Sequence, residues 1–299
     1  MANSFRTDLA MEAREQNGEI SGVKMEQRKC ASALVTRIQV LNEEGAKKLG
    51  KPIGTYITIE QRDLYEKDPQ DSDELVQCIA RQIANLLNDA CKEGCSLVVG
   101  LGNRELTPDS LGPRVVSEVL VTRHLKNVLS EEMRAQLCSV CAIAPGVMGE
   151  TGMETGEVVK AVVGAVNPSC VIVVDALAAR STQRILSTVQ ITDAGVAPGS
   201  GVGNHRSALT RESLGVPVIA VGVPMVVHAS TILHDALERI AGSNVSVDSL
   251  LRNMEGENLV VTPVMIDEAV RCAAKLVAQA INTALQPALS PEEIKALSI

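Results

Sequence analysis

Two aspartates stand where buried strands end: Asp109, in Leu97-Val-Val-Gly-Leu-Gly-Asn-Arg-Glu-Leu-Thr-Pro-Asp109, and Asp175, in Cys170-Val-Ile-Val-Val-Asp175. The carboxyl ends of the strands of an open parallel sheet share one edge, so residues distant in sequence meet there. Two carboxylates over one site suit hydrolysis. Their repulsion raises the proton affinity of one, which serves as the acid that polarises a carbonyl while the other takes a proton from water. Asp109 lies close to a helix start, where amides and dipole favour a charged carboxylate, so it is assigned as base and Asp175, on its apolar strand, as acid. Position alone equally suits two loop aspartates that only cap helices.

Other chemistries do not fit the residues. Gly100-Leu-Gly102 begins like a dinucleotide fingerprint, yet Glu105 stands at the third glycine position, where its charge opposes a pyrophosphate. Ser200, in Pro198-Gly-Ser-Gly, misses the Gly-x-Ser-x-Gly elbow because Pro198 replaces the first glycine. His124, His205, His228 and His234 are scattered, and metal sites need clustered ligands. Cys138 and Cys141 form a Cys-x-x-Cys inside an apolar strand, where packing is the expected role. Gly195 to Gly203, including Gly199, Ser200, Gly201 and Gly203, offers main-chain amides for an anion or an extended peptide, or is an ordinary connection.

Bulk properties narrow the class. A formal charge of -8, with Phe5, Tyr56 and Tyr65 the only aromatics, argues against a nucleic-acid surface, which needs basic groups and stacking platforms. The longest apolar run, Val216 to Val227, is too short to span a bilayer and contains Pro217 and Pro224. Eight cysteines are too sparse for a disulfide scaffold and Met1–Arg6 carries no signal segment, so a cytoplasmic protein with reduced thiols is expected.

The elements that position the aspartates alternate. Strands are expected at Thr55–Glu60, Cys95–Gly100, Gln136–Ala144, Val171–Val174, Thr188–Thr192 and Val216–Val221. Helices are expected after an Asp71 cap through Leu87, from Val115 to His124 entered through Pro113, and after a Thr151/Glu154 capping box through Val166. Others run from Ser230 to Ile240, from Val264 to Leu285 behind Thr262 and Pro263, and from Ser290. Such alternation predicts a single three-layer α/β domain with a parallel or mixed sheet covered on both faces. Residues 1–51 lack sustained periodicity and read as a loosely attached arm.

Eight blocks carry a further signal: Phe5–Arg14, Val98–Asn103, Thr107–Pro113, Leu120–Leu125, Pro145–Gly156, Asp175–Arg180, Pro198–Asn204 and Ile219–Pro224. Together they resemble the germination proteases of spore-forming bacteria, endopeptidases that degrade small acid-soluble spore proteins. The resemblance runs in order from near the start to about Pro263. It implies catalytic roles for Asp109 and Asp175 and a zymogen cut between Asp8 and Leu9. The division it implies is a propeptide 1–8, an N-terminal arm 9–51 and a peptidase domain 52–299. It further implies small acid-soluble spore proteins as substrates, a homotetramer, residence in the forespore and spore core, and no cofactor. Family members are commonly longer, and the connection from Asn244 to Asn258 is short here.

Two alternatives stay open. The Gly100-Leu-Gly-Asn103 strand end and the Asp175-Ala176 element are also similar to hydrogenase maturation proteases, which recognise a nickel centre with acidic residues and a histidine; His228 is the candidate here. The other alternative is a non-catalytic homologue that only binds spore proteins.

Overall fold

The structure, a computed structural model, describes residues 7–30, 32–62, 73–88, 94–128, 130–131, 136–197, 207–233, 236 and 259–297. The chain runs α1 (Ala10–Asn17), β1 (Val23–Cys30), β2 (Ala33–Val40), α2 (Glu43–Leu49), β3 (Gly54–Glu60), α3 (Asp73–Leu87), β4 (Cys95–Gly100) and α4 (Leu111–Glu118). It continues with β5 (Ser139–Ile143), α5 (Met148–Thr151), α6 (Thr155–Val166), β6 (Cys170–Ala179), β7 (Thr188–Thr192), α7 (Arg211–Leu214) and β8 (Val218–His228). Last come β9 (Val260–Val261), α8 (Ile266–Leu285) and α9 (Pro291–Leu297).

The strands form one mixed sheet in the order β1-β2-β3-β7-β8-β6-β4-β5, with β9 on β8. β8, β6, β4 and β5 are parallel. The wing from β1 to β7 is antiparallel, and β7 joins β8 antiparallel. This is the mixed α/β sheet the alternation predicts.

Strand period 2 sorts the core into layers. Ile172 and Val174 of β6 pack with α3, α4 and α8 on one face. Val171 and Val173 pack with Val159 and Val163 of α6 on the other. With both faces covered, Val171 to Val174 are fully buried, which is why the strand reads as a continuous apolar run. On the second face α1 and α2 cover the wing through Ala10, Met11, Ile38, Val40, Leu49 and Tyr56. Among the described residues a gap remains between these two helices and α6, over the middle of the sheet.

Several expectations need correction. Residues 9–51 are no loose arm: they supply two helices and two paired strands. β1 hides from a periodicity search because Lys24 to Lys29 are exposed on both faces, as befits a charged edge strand. β2 hides because it is buried on both. The helix after Pro113 stops at Glu118, and Val119 is extended. Thr151 closes α5 and accepts from Met153 N–H, while Glu154 holds the N-cap position of α6. Thr262 donates to Met225 O, and α8 begins at Ile266 behind Met265. The Ser290 start of α9 is as expected, with Ser290 and Glu293 exchanging side-chain bonds to each other's main chain. The helix expected from Ser230 begins at Ala229; its end at Ile240, the Asp71 cap and the Asn244–Asn258 connection fall outside the described residues.

Candidate active site

β4 ends opposite Val174, where Gly100 pairs with it, and Leu101 N–H still donates to Val174 O at 2.8 Å. Asp175 is the next residue along β6, paired on its other side with Gly222 of β8. The chain leaving β4 turns back through a 3-10 turn at Thr107–Asp109, and Asn103 N–H donates to the Asp109 carboxylate at 2.8 Å. Asp175 accepts from Ala176 N–H at 2.9 Å. The two aspartates, 66 positions apart in the sequence, line one cleft of about 2080 Å³ in the gap over the sheet, together with Gln190, Thr192, Ala220 and Gly222.

Glycines set this geometry. A Cβ on Gly100 would stand 2.1 Å from Gly112 O, so the pair lets α4 lie directly on β4. Gly102 has φ +107°, and a Cβ there would stand 2.0 Å from Asp109 O. The apparent dinucleotide fingerprint is therefore the seat of Asp109. Gly102→Ala is expected to cost about 1–3 kcal/mol through backbone strain, which lowers Tm by about 2–4 °C for each kcal/mol. An unchanged thermal melt would refute the seat.

The expected processing bond lies in the same cleft. Thr7 and Asp8 line it. Asp8 N–H donates to Ala178 O at 2.9 Å, and Ala178 N–H donates to the Asp8 carboxylate at 2.8 Å. Gln190 spans the bond, donating to Asp8 O at 3.0 Å and accepting from Ala10 N–H at 2.8 Å. Leu9 is fully buried against Leu177, Ala179 and Val227. Glu12, 2% exposed, accepts from Thr7 Oγ1, from Arg180 N–H at 2.7 Å and from Ser181 N–H at 2.9 Å. Arg184 adds ion pairs to Glu12 at 3.4 Å, Glu15 at 2.7 Å and Glu60 at 3.1 Å. Burial alone would lower the pKa of Arg184, but Glu15, Glu60 and Glu12 outweigh it and raise it.

Other candidates fare differently. Gly199, Ser200, Gly201, Gly203, His205 and His234 lie outside the described residues. His228 is six residues along β8 from Gly222, about 20 Å at strand rise, so it does not stand beside Asp175. Among the described residues no group of three or more His, Cys, Asp or Glu is placed to hold a metal ion. Cys141 meets Cys95 of the neighbouring strand at 3.6 Å, not Cys138. The hydrogen bond from Cys141 lowers the Cys95 thiol to about 6, against burial and with help from Ser139 and Arg123. Cys30 of β1 and Cys78 of α3 face each other with Cα atoms 6.2 Å apart, within reach of a disulfide.

A family model described as germination protease matches residues 2–243. The chain belongs to that family. Germination proteases of Clostridium perfringens and Caldanaerobacter subterraneus subsp. tengcongensis are 42% and 44% identical to it, over 97% and 98% of this chain and 98% of each relative. One from Bacillus cereus is 42% identical over 79% of this chain and 67% of its own length. Family membership makes the chain a protease. Among solved structures, the [NiFe] hydrogenase maturation protease HycI of Thermococcus kodakarensis aligns over 67% of this chain and 98% of its own at 17% identity and a TM-score of 0.33, a likeness too slight to carry an argument. No helix among the described residues is long and apolar enough to cross a membrane.

Lys51, Gln190, Arg184 and Glu12 escaped the sequence reading. Their partners lie far along the chain, and only the match of the Phe5–Arg14 block pointed to this segment at all.

Proposed function

We propose that the protein is a germination endopeptidase made as a zymogen, with residues 1–8 as propeptide, and that it degrades small acid-soluble spore proteins in the forespore and spore core. It works as a homotetramer. Asp109 and Asp175 hold the attacking water, Asp109 taking its proton and Asp175 polarising the scissile carbonyl. The observation that carries this reading is the docking of the segment around Asp8 and Leu9 in the cleft that both aspartates line. A chain held there excludes other peptides, which is how a protease is stored beside its substrates.

The test is incubation of the purified, self-processed protein with small acid-soluble spore proteins, with and without a chelator. Degradation that a chelator changes by no more than about twofold is expected, since metal hydrolysis draws on about three protein ligands and the cleft offers two carboxylates as its clear pair. Loss in chelator restored by a divalent ion would favour a metal-dependent peptidase. Binding without cleavage would favour the non-catalytic homologue.

A further inference from the structure

From Ala176 onward, no strand among the described residues pairs with the side of β6 that β4 has left, and the N-terminal segment lies along that edge. Asp8 exchanges main-chain and carboxylate bonds with Ala178, and Glu12 accepts from Arg180 and Ser181 further on. Segment and strand therefore run in the same direction, and carboxylates occupy the amides of the edge. Lys51, just after α2, stands over it: Nζ donates to Thr7 O at 2.8 Å and faces the charges of both Asp8 and Glu12.

The register of this docking is the informative part. At a strand rise of about 3.3 Å per residue, Ala178 lies about 10 Å beyond Asp175. The Asp8–Leu9 bond therefore rests past the aspartate that is to act on it. Bringing it to Asp175 requires sliding the segment back by three to four residues with the first turn of α1 extended. That same movement carries Glu12 to the place Asp8 leaves.

We infer that Lys51 and the main-chain N–H of Ala178 form a specificity subsite for an acidic side chain four residues beyond the scissile bond, which Asp8 fills in the resting protein. The inference rests on Asp109 and Asp175 being the cutting pair. The substrate it describes is a peptide added as a strand along β6, carrying a carboxylate at that spacing. Lys51 is a positioning residue: it aligns the bond and takes no part in breaking it.

The test uses the full chain, allowed to process itself, and a synthetic peptide of residues 2–17. With Lys51 present, Glu12→Gln in the peptide should lower kcat/KM about tenfold, the size of a lost charged hydrogen bond. With Lys51→Met the same change should matter less than about twofold, and Lys51→Arg should restore the difference. kcat/KM is the right quantity because binding in the resting register lowers kcat and KM together and cancels. An equal penalty in both enzymes would overturn the subsite. Hydrogen exchange reads it independently of cutting: in the uncut chain the Asp8 and Ala178 amides should exchange about tenfold faster in Lys51→Met and in Asp8→Asn, with no further gain in the double variant. Wild-type exchange in Lys51→Met would overturn the subsite too. An uncut peptide with the exchange result intact would count against the cutting pair alone.

Discussion

Asp109→Asn and Asp175→Asn are each expected to leave a folded protein whose degradation of spore proteins and of its own N-terminal segment falls by about a hundredfold or more. The substitution separates the two roles a carboxylate can have here. An Asn amide oxygen still accepts from Asn103 N–H at position 109 or from Ala176 N–H at position 175. A residue that only pins the loop should therefore lose about 1 kcal/mol or less, or about 2–4 °C in Tm. An amide cannot take a proton from water or return one to the substrate. A melt within about 4 °C of wild type together with lost turnover identifies catalysis, whereas near-normal turnover in either variant removes that residue from the reaction.

The apolar run Leu97 to Val99 made β4 legible to the residue, and the period-2 alternation of Val189 and Ile191 with Thr188, Gln190 and Thr192 did the same for β7. Asp175 was legible as the first polar side chain after the run Val171 to Val174, and Asp109 as the carboxylate in the loop that follows β4. The N-terminal 51 residues were not, because β1 is exposed and charged and α1, with Glu12, Arg14, Glu15 and Gln16, owes its place to packing on β2, β3 and α2. Local pattern carries no trace of a partner 170 positions away, such as Ala178 for Asp8. The helix starts were misjudged at Thr151 and Thr262 because each hydroxyl found a nearer use in a turn or on β8. The glycines of Gly100-Leu-Gly102 were visible but ambiguous, since close packing of a helix and approach to a phosphate make the same demand for a missing side chain.

Gln190→Ala is expected to speed self-cleavage between Asp8 and Leu9 by about thirtyfold. In the resting protein that bond is shut in from both sides. Gln190, 6% exposed, holds the scissile carbonyl of Asp8 and the N–H of Ala10 one residue past the bond, and Leu9 is buried beneath. Each lost bond is worth about 1 kcal/mol net, so the two together raise the open population by about thirtyfold at about 1.4 kcal/mol per factor of ten. When opening and closing are fast relative to cutting, the rate follows that population. The sign is informative because Gln190 lies on the floor of the cleft: a residue needed to bind substrate would slow the cut when removed, whereas a clamp on the uncut segment releases it. N-terminal sequencing over time should find Leu9 as the new terminus, appearing sooner in the variant. A variant that melts normally yet is cut no faster would refute the clamp, and a wild-type chain that is fully active with Met1 or Ala2 still in place would refute the zymogen itself.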